Sequence, residues 1–340
     1  MMVTPGLEAI SSWVKSAANA AKGVCHTPLP RARSAFGIGV LATINPRENC
    51  SDIWSLAKPR LSSLVVATAA AGMWLAQGSG GVLGAYQGHP QGAPLREFLS
   101  LVAIAMLVGA SNATNCYLER SYDALMRRTA KRPLARGRLN PKAVLVSATI
   151  IAVASTIALA ITANLITAVL GLFAHLVYVN AYTPLKRTSA WAVVVGAIPG
   201  AIPPLMGWTL VTGHLDYGGL TLFGIMFLWQ IPHFIAIAFH RRDDYERAGF
   251  KTIALVVSDS TSKYLLVALT AALVPVSLVL VPLGLANQLY AIAAFILGFG
   301  FFFINMSGLR KGASATWART SLHASLFYIT LLFAAIALTS

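Results

Sequence analysis

Charge is what this sequence has least of. Only 11% of its 340 residues are charged, whereas soluble domains average about 25%. Apolar residues make up 56% of the chain. A chain so poor in charge cannot cover a surface that faces water, and this excludes a soluble enzyme domain and a disordered chain. The solvent that fits this composition is a lipid bilayer.

Cysteine and acidic residues are also scarce. The three cysteines, Cys25, Cys50 and Cys116, have neither metal-site nor redox-pair spacing, so we interpret them as free thiols and exclude a disulfide scaffold. Only 11 acidic residues oppose 26 basic ones, which gives a net charge of +15. Nucleic-acid-binding proteins and membrane proteins can both be basic, so the positions of the basic residues decide between them.

Long uncharged runs predict the fold. Residues 98–118 are 21 uncharged residues, enough to cross a bilayer as a helix that rises about 1.5 Å per residue. Residues 143–185 and 264–309 are too long for one helix each, so we expect turns near 162–164 and 282–287. The remaining spans are expected in residues 61–79, 188–239 (two spans) and 320–340. The sequence therefore predicts an all-α polytopic membrane bundle of nine transmembrane helices.

The basic residues follow this topology. With nine spans, 25 of the 26 lie on one side and only Arg96 lies on the other. The positive-inside rule then predicts an N-terminus inside and a C-terminus outside. Topology accounts for the net charge, so no nucleic-acid partner is expected. The location expected is the inner (plasma) membrane of a bacterium, with the mitochondrial inner membrane as the alternative.

Residues 1–50 form an N-terminal extension, and residues 51–340 form the nine-span domain. One helical face of residues 6–22 is apolar and the segment is poor in acids. A helix lying on the membrane surface and a mitochondrial presequence both fit this pattern. We favour a plain cytoplasmic tail over either.

Three oxygen-bearing side chains share one face at the end of the second span. Asn115, Glu119 and Asp123 are spaced i, i+4, i+8, a spacing that keeps side chains on one side of a helix. Carboxylate and amide oxygens are ligands of Mg²⁺. The alternative is that the acids only neutralise the neighbouring arginines, and the spacing alone leaves the two interpretations even.

The residues that follow favour a phosphate site. Arg128 and Arg132 belong to a run of five cations directly behind the acids, and guanidinium groups bind phosphate oxygens in pairs. A second mixed cluster, with Asp243 and Asp244, follows the sixth span, and Tyr182–Arg187 looks like a short basic turn between the clusters. Charged loops on one face of an apolar bundle suit a substrate with a charged head and an oily tail, as in a prenyl diphosphate.

Two histidines lie inside apolar spans. His233 follows Pro232 in the sixth span, and prolines are tolerated in membrane helices that line a cavity. His233 is a candidate for heme iron, although a histidine satisfied by the backbone fits equally well. His175 in the fourth span we interpret as a satisfied polar group.

These motifs resemble the UbiA-type intramembrane prenyltransferases and, within them, the heme O synthase subgroup. The superfamily mark Asn-x3-Asp-x3-Asp is similar to Asn115-x3-Glu119-x3-Asp123, with Glu119 where an aspartate is usual. The subgroup resemblance extends to the segments 123–134, 182–183, 203–208, 232–234 and 243–249. The resemblance as a whole runs from Lys58, before the first span, to the last span.

The resemblance implies transfer of the farnesyl group of farnesyl diphosphate to a vinyl group of heme B, which is a substrate and not a cofactor. It implies Mg²⁺ held by Asn115, Glu119, Asp123 and Asp244. Substrate contacts would come from Arg128, Arg132, Tyr182, Lys186, Arg187, Asp243 and His233. It also suggests a heme A synthase or a terminal oxidase assembly as protein partners, within the lipid bilayer.

Three other functions are alternatives for this sequence. A UbiA-type enzyme acting on a quinone or chlorophyll precursor lacks the features around His233 and Arg132. A transporter should carry ionisable groups at the membrane midplane, and spans three, seven and eight have none. A protein that only binds heme would not need the acidic and basic residues at the helix ends.

Overall fold

The computed structural model describes residues 46–78, 93–310 and 315–339. The elements in these residues are helical throughout: α1 (Pro46–Leu56), α2 (Pro59–Gly78), α3 (Ala93–Asp123), α4 (Pro141–Thr162), α5 (Leu165–Leu176), a π-helix (Val177–Tyr182), α6 (Thr183–Thr188), α7 (Ala192–Thr212), α8 (Tyr217–His240), α9 (Arg242–Arg247), α10 (Ile253–Val256), α11 (Asp259–Leu278), α12 (Gln288–Met306), a 3₁₀ turn (Ser307–Leu309) and α13 (Ala315–Thr339). The segment 6–22 lies outside the described residues. The expected domain boundary at residues 50 and 51 falls inside α1.

Nine helices within the described ranges are long and apolar enough to cross a membrane, which confirms the predicted all-α bundle. Their outer surfaces are apolar. In α4 only 22% of the most apolar stretch is buried, and Ile150 and Ile161 are exposed. Because these side chains find no protein partner, the medium around α4 must itself be apolar.

Polar residues end and begin the helices where the sequence predicted turns. Asn164 starts α5 by accepting a hydrogen bond from the backbone N–H of Thr167, and Asp216 starts α8 through the N–H groups of Gly218 and Gly219. Gly213 ends α7 with φ 73°, a left-handed conformation that glycine adopts without penalty. These caps satisfy backbone groups that the helices leave free.

The segment Tyr182–Arg187, predicted to be a turn, is helical instead. The fourth spanning segment runs from Leu165 to Thr188 and passes through the π-helix Val177–Tyr182 into α6. Pro184 lies in the first turn of α6, where a missing N–H costs nothing. The prediction of a turn was wrong because this proline sits at a helix start, after a π-helical segment that the sequence pattern does not reveal.

The central contact of the bundle joins α2 to α7. A Cβ atom added to Gly72 would lie 2.1 Å from the carbonyl oxygen of Pro204, and one added to Gly207 would lie 1.8 Å from that of Ala69. Neither glycine can therefore be replaced without moving a backbone. Small residues at such contacts are the common means of packing membrane helices closely.

Two apolar cores lie on either side of this helix pair. One is formed mainly by α3, α4, α5 and α7 around Leu107 and Leu159, and the other mainly by α8, α11, α12 and α13 around Trp229 and Tyr328. The loop 124–140, α6, α9 and α10 lie at the same end of the bundle, which we call the basic face.

Membrane orientation stays a prediction that a reporter fusion can test. We expect a reporter placed after Gly137, in a loop of the basic face, to be active only on the cytoplasmic side. A reporter placed after Ser340 should be active only on the opposite side, since an odd number of spans separates the two positions. Activity of both fusions on the same side would contradict the nine-span topology.

Candidate active site

A cavity of about 500 Å³ opens between α2, α3, α7, α8 and α13 near the basic face. Its charged part is lined by side chains such as Glu119, Asp123 and Arg132, and its apolar part by side chains such as Met226, Leu326 and Ile329. The predicted site residues that line it are Asn115, Glu119, Asp123, Arg128, Arg132, Tyr182, Lys186 and His233. The structure therefore brings together most of the residues that the sequence pointed to.

Glu119 is almost completely buried, with 2% of its surface exposed. Its Oε1 atom lies 3.2 Å from Nζ of Lys186, which comes from α6. The ammonium group of Lys186 also lies 4.9 Å from the ring centre of Phe250 and 5.5 Å from that of Tyr245. A carboxylate this deeply buried needs such a cation, because an unpaired charge there would be very costly.

Asp123 is buried to the same degree and pairs with Arg132 from the loop after α3. The NH1 atom of Arg132 lies 2.9 and 2.7 Å from the two carboxylate oxygens of Asp123. Burial alone would lower the pKa of the Arg132 guanidinium, but the charge of Asp123 outweighs burial and the pKa lies above its ordinary value. Arg132 is therefore held in its charged form beside the cavity.

Asn115 presents its carbonyl oxygen to the same region. Its Oδ1 accepts a hydrogen bond of 2.8 Å from Lys58 Nζ, and its Nδ2 donates to Thr183 Oγ1 at 3.2 Å. The Thr183 hydroxyl donates to the carbonyl oxygen of Tyr178, so its oxygen can only accept from Asn115. This network fixes which end of the amide faces Lys58.

Lys58 joins this set from the junction between α1 and α2. Its φ of 49° is a left-handed conformation, and the following proline disfavours a helical backbone at this position. Burial lowers the pKa of its ammonium group below the ordinary value. Asn115, Glu119 and Asp123 thus each contact one cation, and the three cations come from different parts of the chain.

The donor set fits a divalent cation that binds oxygen. Two buried carboxylates and an amide oxygen of fixed orientation share one face at the end of α3, which is the ligand chemistry that Mg²⁺ uses. In the described part of the chain, no three His, Cys, Asp or Glu side chains form a metal-binding group. Mg²⁺ usually completes its coordination with substrate oxygens or with water.

Aromatic rings form the wall beside the acids. The π-helix carries Tyr178 and Tyr182, whose ring centres lie 5.5 Å apart, and Tyr182 stacks on Phe234 of α8 at 6.2 Å. Such π-helical turns often occur at functional sites. Gln230 also lines this wall, and its buried Oε1 has no hydrogen-bond partner among the described residues.

Three predicted residues do not line the cavity. Arg187 donates to the carbonyl oxygen of Leu118 at 2.6 Å and stacks on Tyr122 at 4.3 Å. Asp243 is exposed. Asp244 accepts a hydrogen bond of 3.3 Å from the backbone N–H of Arg127, so the second acidic cluster contacts the loop that carries Arg128 and Arg132.

Lys58 and Gln230 were not among the predicted site residues. Lys58 could have been noticed as a cation immediately before the proline that starts a span. Gln230 could have been noticed as an uncharged but strongly polar side chain inside an apolar helix, two residues before Pro232. Polar groups at such depth are costly and therefore informative.

The ion pair between Lys186 and Glu119 makes a testable contribution to stability. Lys186→Met leaves Glu119 buried without its cation, and we expect a loss of about 3 kcal/mol of stability and a lower Tm in detergent. Adding Glu119→Gln should recover most of the loss. Arg242→Met, which breaks the exposed pair with Asp259, is the control and should cost less than about 1 kcal/mol. Equal Tm values for Lys186→Met and Arg242→Met would contradict this account.

This chain is similar to known proteins over most of its length. A protein of Myxococcus xanthus named protoheme IX farnesyltransferase is 48% identical over 288 residues, which cover 85% of this chain and 94% of that protein. A protein of the same name from Anaeromyxobacter dehalogenans is 46% identical over 295 residues, covering 86% and 95%.

Solved structures show the same fold at low sequence identity. A digeranylgeranylglyceryl phosphate synthase superposes with a TM-score of 0.70 at 14% identity, covering 86% of this chain and 98% of that one. A UbiA homolog from Archaeoglobus fulgidus bound to GPP and Mg²⁺ gives a TM-score of 0.55 at 17% identity, covering 84% and 99%.

The family model of the UbiA prenyltransferases matches residues 64–332. That range includes α3 with its acidic face, the loop with Arg132, the π-helix and the apolar wall with His233. The chain belongs to the UbiA prenyltransferase family.

Proposed function

We propose that this protein transfers the farnesyl group of farnesyl diphosphate to a vinyl group of heme B and releases diphosphate. Water then adds to the cation left on the former vinyl group and loses a proton, which gives the hydroxyethylfarnesyl side chain of heme O. Similar proteins named protoheme IX farnesyltransferase, at 45–48% identity, support this assignment. The structural observation that carries the proposal is a buried cluster of acids and cations at one end of an apolar cavity. That arrangement suits a molecule with an anionic head and a hydrocarbon tail.

The charges of the cavity favour an anion. Five basic side chains line it, Lys58, Arg128, Arg132, Lys186 and Arg241, against the two carboxylates of Glu119 and Asp123. Arg128 is exposed and makes no hydrogen bond or ion pair within the described ranges. A free guanidinium beside paired cations is well suited to take phosphate oxygens. We assign diphosphate contacts to Arg128, Arg132 and Lys186, which line the cavity. The expected substrate contacts of Arg187 and Asp243 are not part of this proposal, because Arg187 contacts Leu118 and Tyr122 and Asp243 is exposed outside the cavity.

Asn115, Glu119 and Asp123 are the residues that would hold Mg²⁺, and Asp244 is proposed as the ligand from the second acidic cluster. Mg²⁺ bound among them would neutralise the charge that develops on the departing diphosphate. The solved structure of the Archaeoglobus fulgidus homolog contains Mg²⁺ together with GPP. The cations of this chain act in the same direction, because Lys186 and Arg132 already pair with the acids that they would share with the substrate.

The rest of the cavity protects the reaction. When the bond between farnesyl and diphosphate breaks, an allylic cation remains and water would destroy it. Apolar side chains of α2, α8 and α13 line this part of the cavity, which keeps water away until the vinyl carbon has attacked. The ring of Tyr182 also lines the cavity, and an aromatic face can stabilise a cation.

We place the protein in the inner membrane of a bacterium as a multi-pass protein, with a heme A synthase or a terminal oxidase assembly as the consumer of its product. A farnesyl transfer to another acceptor would use the same acidic and basic residues. The direct test is pigment extraction from heme-B-producing membranes that contain the protein. We expect heme O to accumulate when it is present, and unchanged heme B would contradict the proposal.

Asp123→Asn tests the metal ligands. The substitution keeps the size of the side chain but removes a negative charge, so we expect heme O formation to fall by orders of magnitude and to require more Mg²⁺. Glu119→Asp should be far milder, since it keeps the charge. The measurement is heme O yield as a function of Mg²⁺ concentration.

Asp259→Asn is the matched control, because Asp259 also accepts two hydrogen bonds from one arginine nitrogen, at 3.0 and 3.2 Å, but on the exposed surface. It should leave both yield and Mg²⁺ dependence unchanged. Near-normal turnover of Asp123→Asn at low Mg²⁺ would reject the metal assignment, whereas the family membership would stand.

The tail gives a further prediction. Burial of hydrocarbon contributes about 0.8 kcal/mol per methylene, so geranyl diphosphate, which is five carbons shorter than farnesyl diphosphate, should bind more weakly and react much more slowly. Competition between the two diphosphates in one reaction measures this preference directly. Equal turnover of both would show that the cavity does not enclose the tail.

A further inference from the structure

One histidine lies in the apolar part of the cavity, as far as the described residues show. His233 lines it together with Met226, Leu326 and Ile329. Its ring stacks on Trp229 with 4.7 Å between ring centres and 20° between planes. The acids of the charged part pair with cations from other elements, whereas the contacts of His233 are with aromatic rings and with α13.

Ser325 of α13 determines where the proton of His233 lies. The Ser325 hydroxyl donates to the carbonyl oxygen of Leu322 at 2.7 Å, because a carbonyl can only accept. A hydroxyl has one proton, so towards His233 Nδ1, also 2.7 Å away, Ser325 can only accept. Nδ1 therefore carries the hydrogen and Nε2 carries the lone pair.

The other ring nitrogen of His233, Nε2, makes no hydrogen bond within the described part of the chain. Ser325 is the sole hydrogen-bond partner of the His233 ring within the described part of the chain. A second proton on Nε2 would be an N–H group without an acceptor in an apolar wall, which is unfavourable. His233, which lines the cavity, is thus a neutral imidazole whose Nε2 lone pair is not used within the described part of the chain.

A free imidazole nitrogen in an apolar, ring-lined space is suited to a transition metal rather than to Mg²⁺, which prefers oxygen. Histidine ligands usually donate their other ring N–H to a neighbouring acceptor, which fixes tautomer and orientation. Ser325 makes that contact here. An iron tetrapyrrole combines a metal that binds imidazole with a flat apolar body that suits a wall of apolar side chains such as Leu326 and Ile329.

We propose that His233 Nε2 coordinates the iron of the tetrapyrrole acceptor and that Ser325 is the positioning residue that holds His233 in the required tautomer. The inference rests on the proposed function for the identity of the acceptor. It assigns the wall formed by α8 and α13 to the acceptor and leaves the acids and cations of the charged part to the diphosphate.

The experiment is a binding titration of the purified full-length protein in detergent with ferric heme B and, separately, with metal-free protoporphyrin IX. We expect ferric heme to bind at least tenfold more tightly than the metal-free ring and to show the absorption spectrum of a histidine-ligated iron. His233→Ala should lose both the spectrum and the preference for iron. Added imidazole should restore the spectrum in that variant.

Ser325→Ala tests the positioning role. We expect about a tenfold loss of ferric heme affinity, in the range found for partners of metal ligands, with little change for the metal-free ring. Ser325→Thr keeps the hydroxyl and should recover most of the affinity. Ser321→Ala is the matched control, since Ser321 lies one turn earlier on α13, is equally buried and donates to Asn305 instead of a histidine.

Two results would overturn the inference: an unchanged spectrum in His233→Ala, or equal effects of Ser325→Ala and Ser321→Ala. If wild-type membranes form heme O while His233→Ala keeps the ferric heme spectrum, the iron assignment fails and the proposed function stands. If ferric heme binds through His233 but no heme O forms, the proposed function fails and the iron site stands.

Discussion

Two carboxylates are buried at the end of one membrane helix, and much of the structure is arranged to make that possible. Glu119 and Asp123 are 2% and 1% exposed, and neither can carry a charge there without a cation close by. The cations come from three separate segments, before α2, after α3 and in α6. Pairing them with α3 brings these segments together at the basic face. The ion pairs and hydrogen bonds that hold these segments against α3 are therefore also the contacts that form the site.

Close packing of α2 against α7 creates the space beside those charges. Gly72 and Gly207 let the two backbones touch, and Pro203 and Pro204 remove hydrogen-bond donors from the middle of α7. A proline inside a helix is costly in water, but α7 is the most buried spanning helix in the described ranges, with 67% of its apolar stretch inside the protein. Neighbouring helices can then satisfy or shield the altered backbone. With α2 held this closely to α7, the cavity lies on the side that faces α3, α8 and α13.

Sequence patterns could predict what depends on neighbours along the chain. Uncharged runs predicted the nine spans, polar residues such as Asn164 marked the turns, and the i, i+4, i+8 spacing predicted the shared face of α3. Contacts between distant segments could not be read in this way. Lys58 meets Asn115 across 57 residues, and Arg187 reaches the backbone of Leu118 across 69. A basic residue near the basic face can serve the fold or the substrate, and only its partner in space tells which.

Depth in the bundle separates two kinds of polar chemistry. Charged groups of the site lie at the basic face, where water is near and the cost of a charge falls. Within the half formed by α8, α11, α12 and α13, neutral buried side chains bond to one another: Asn305 donates to Thr270, and Ser277 bonds Tyr328. His233 belongs to this neutral set through Ser325. A substrate that is anionic at one end and apolar elsewhere requires the same division. Its anionic end then meets charged groups that folding has already buried and oriented, and its apolar end meets an apolar wall, so little reorganisation is needed on binding.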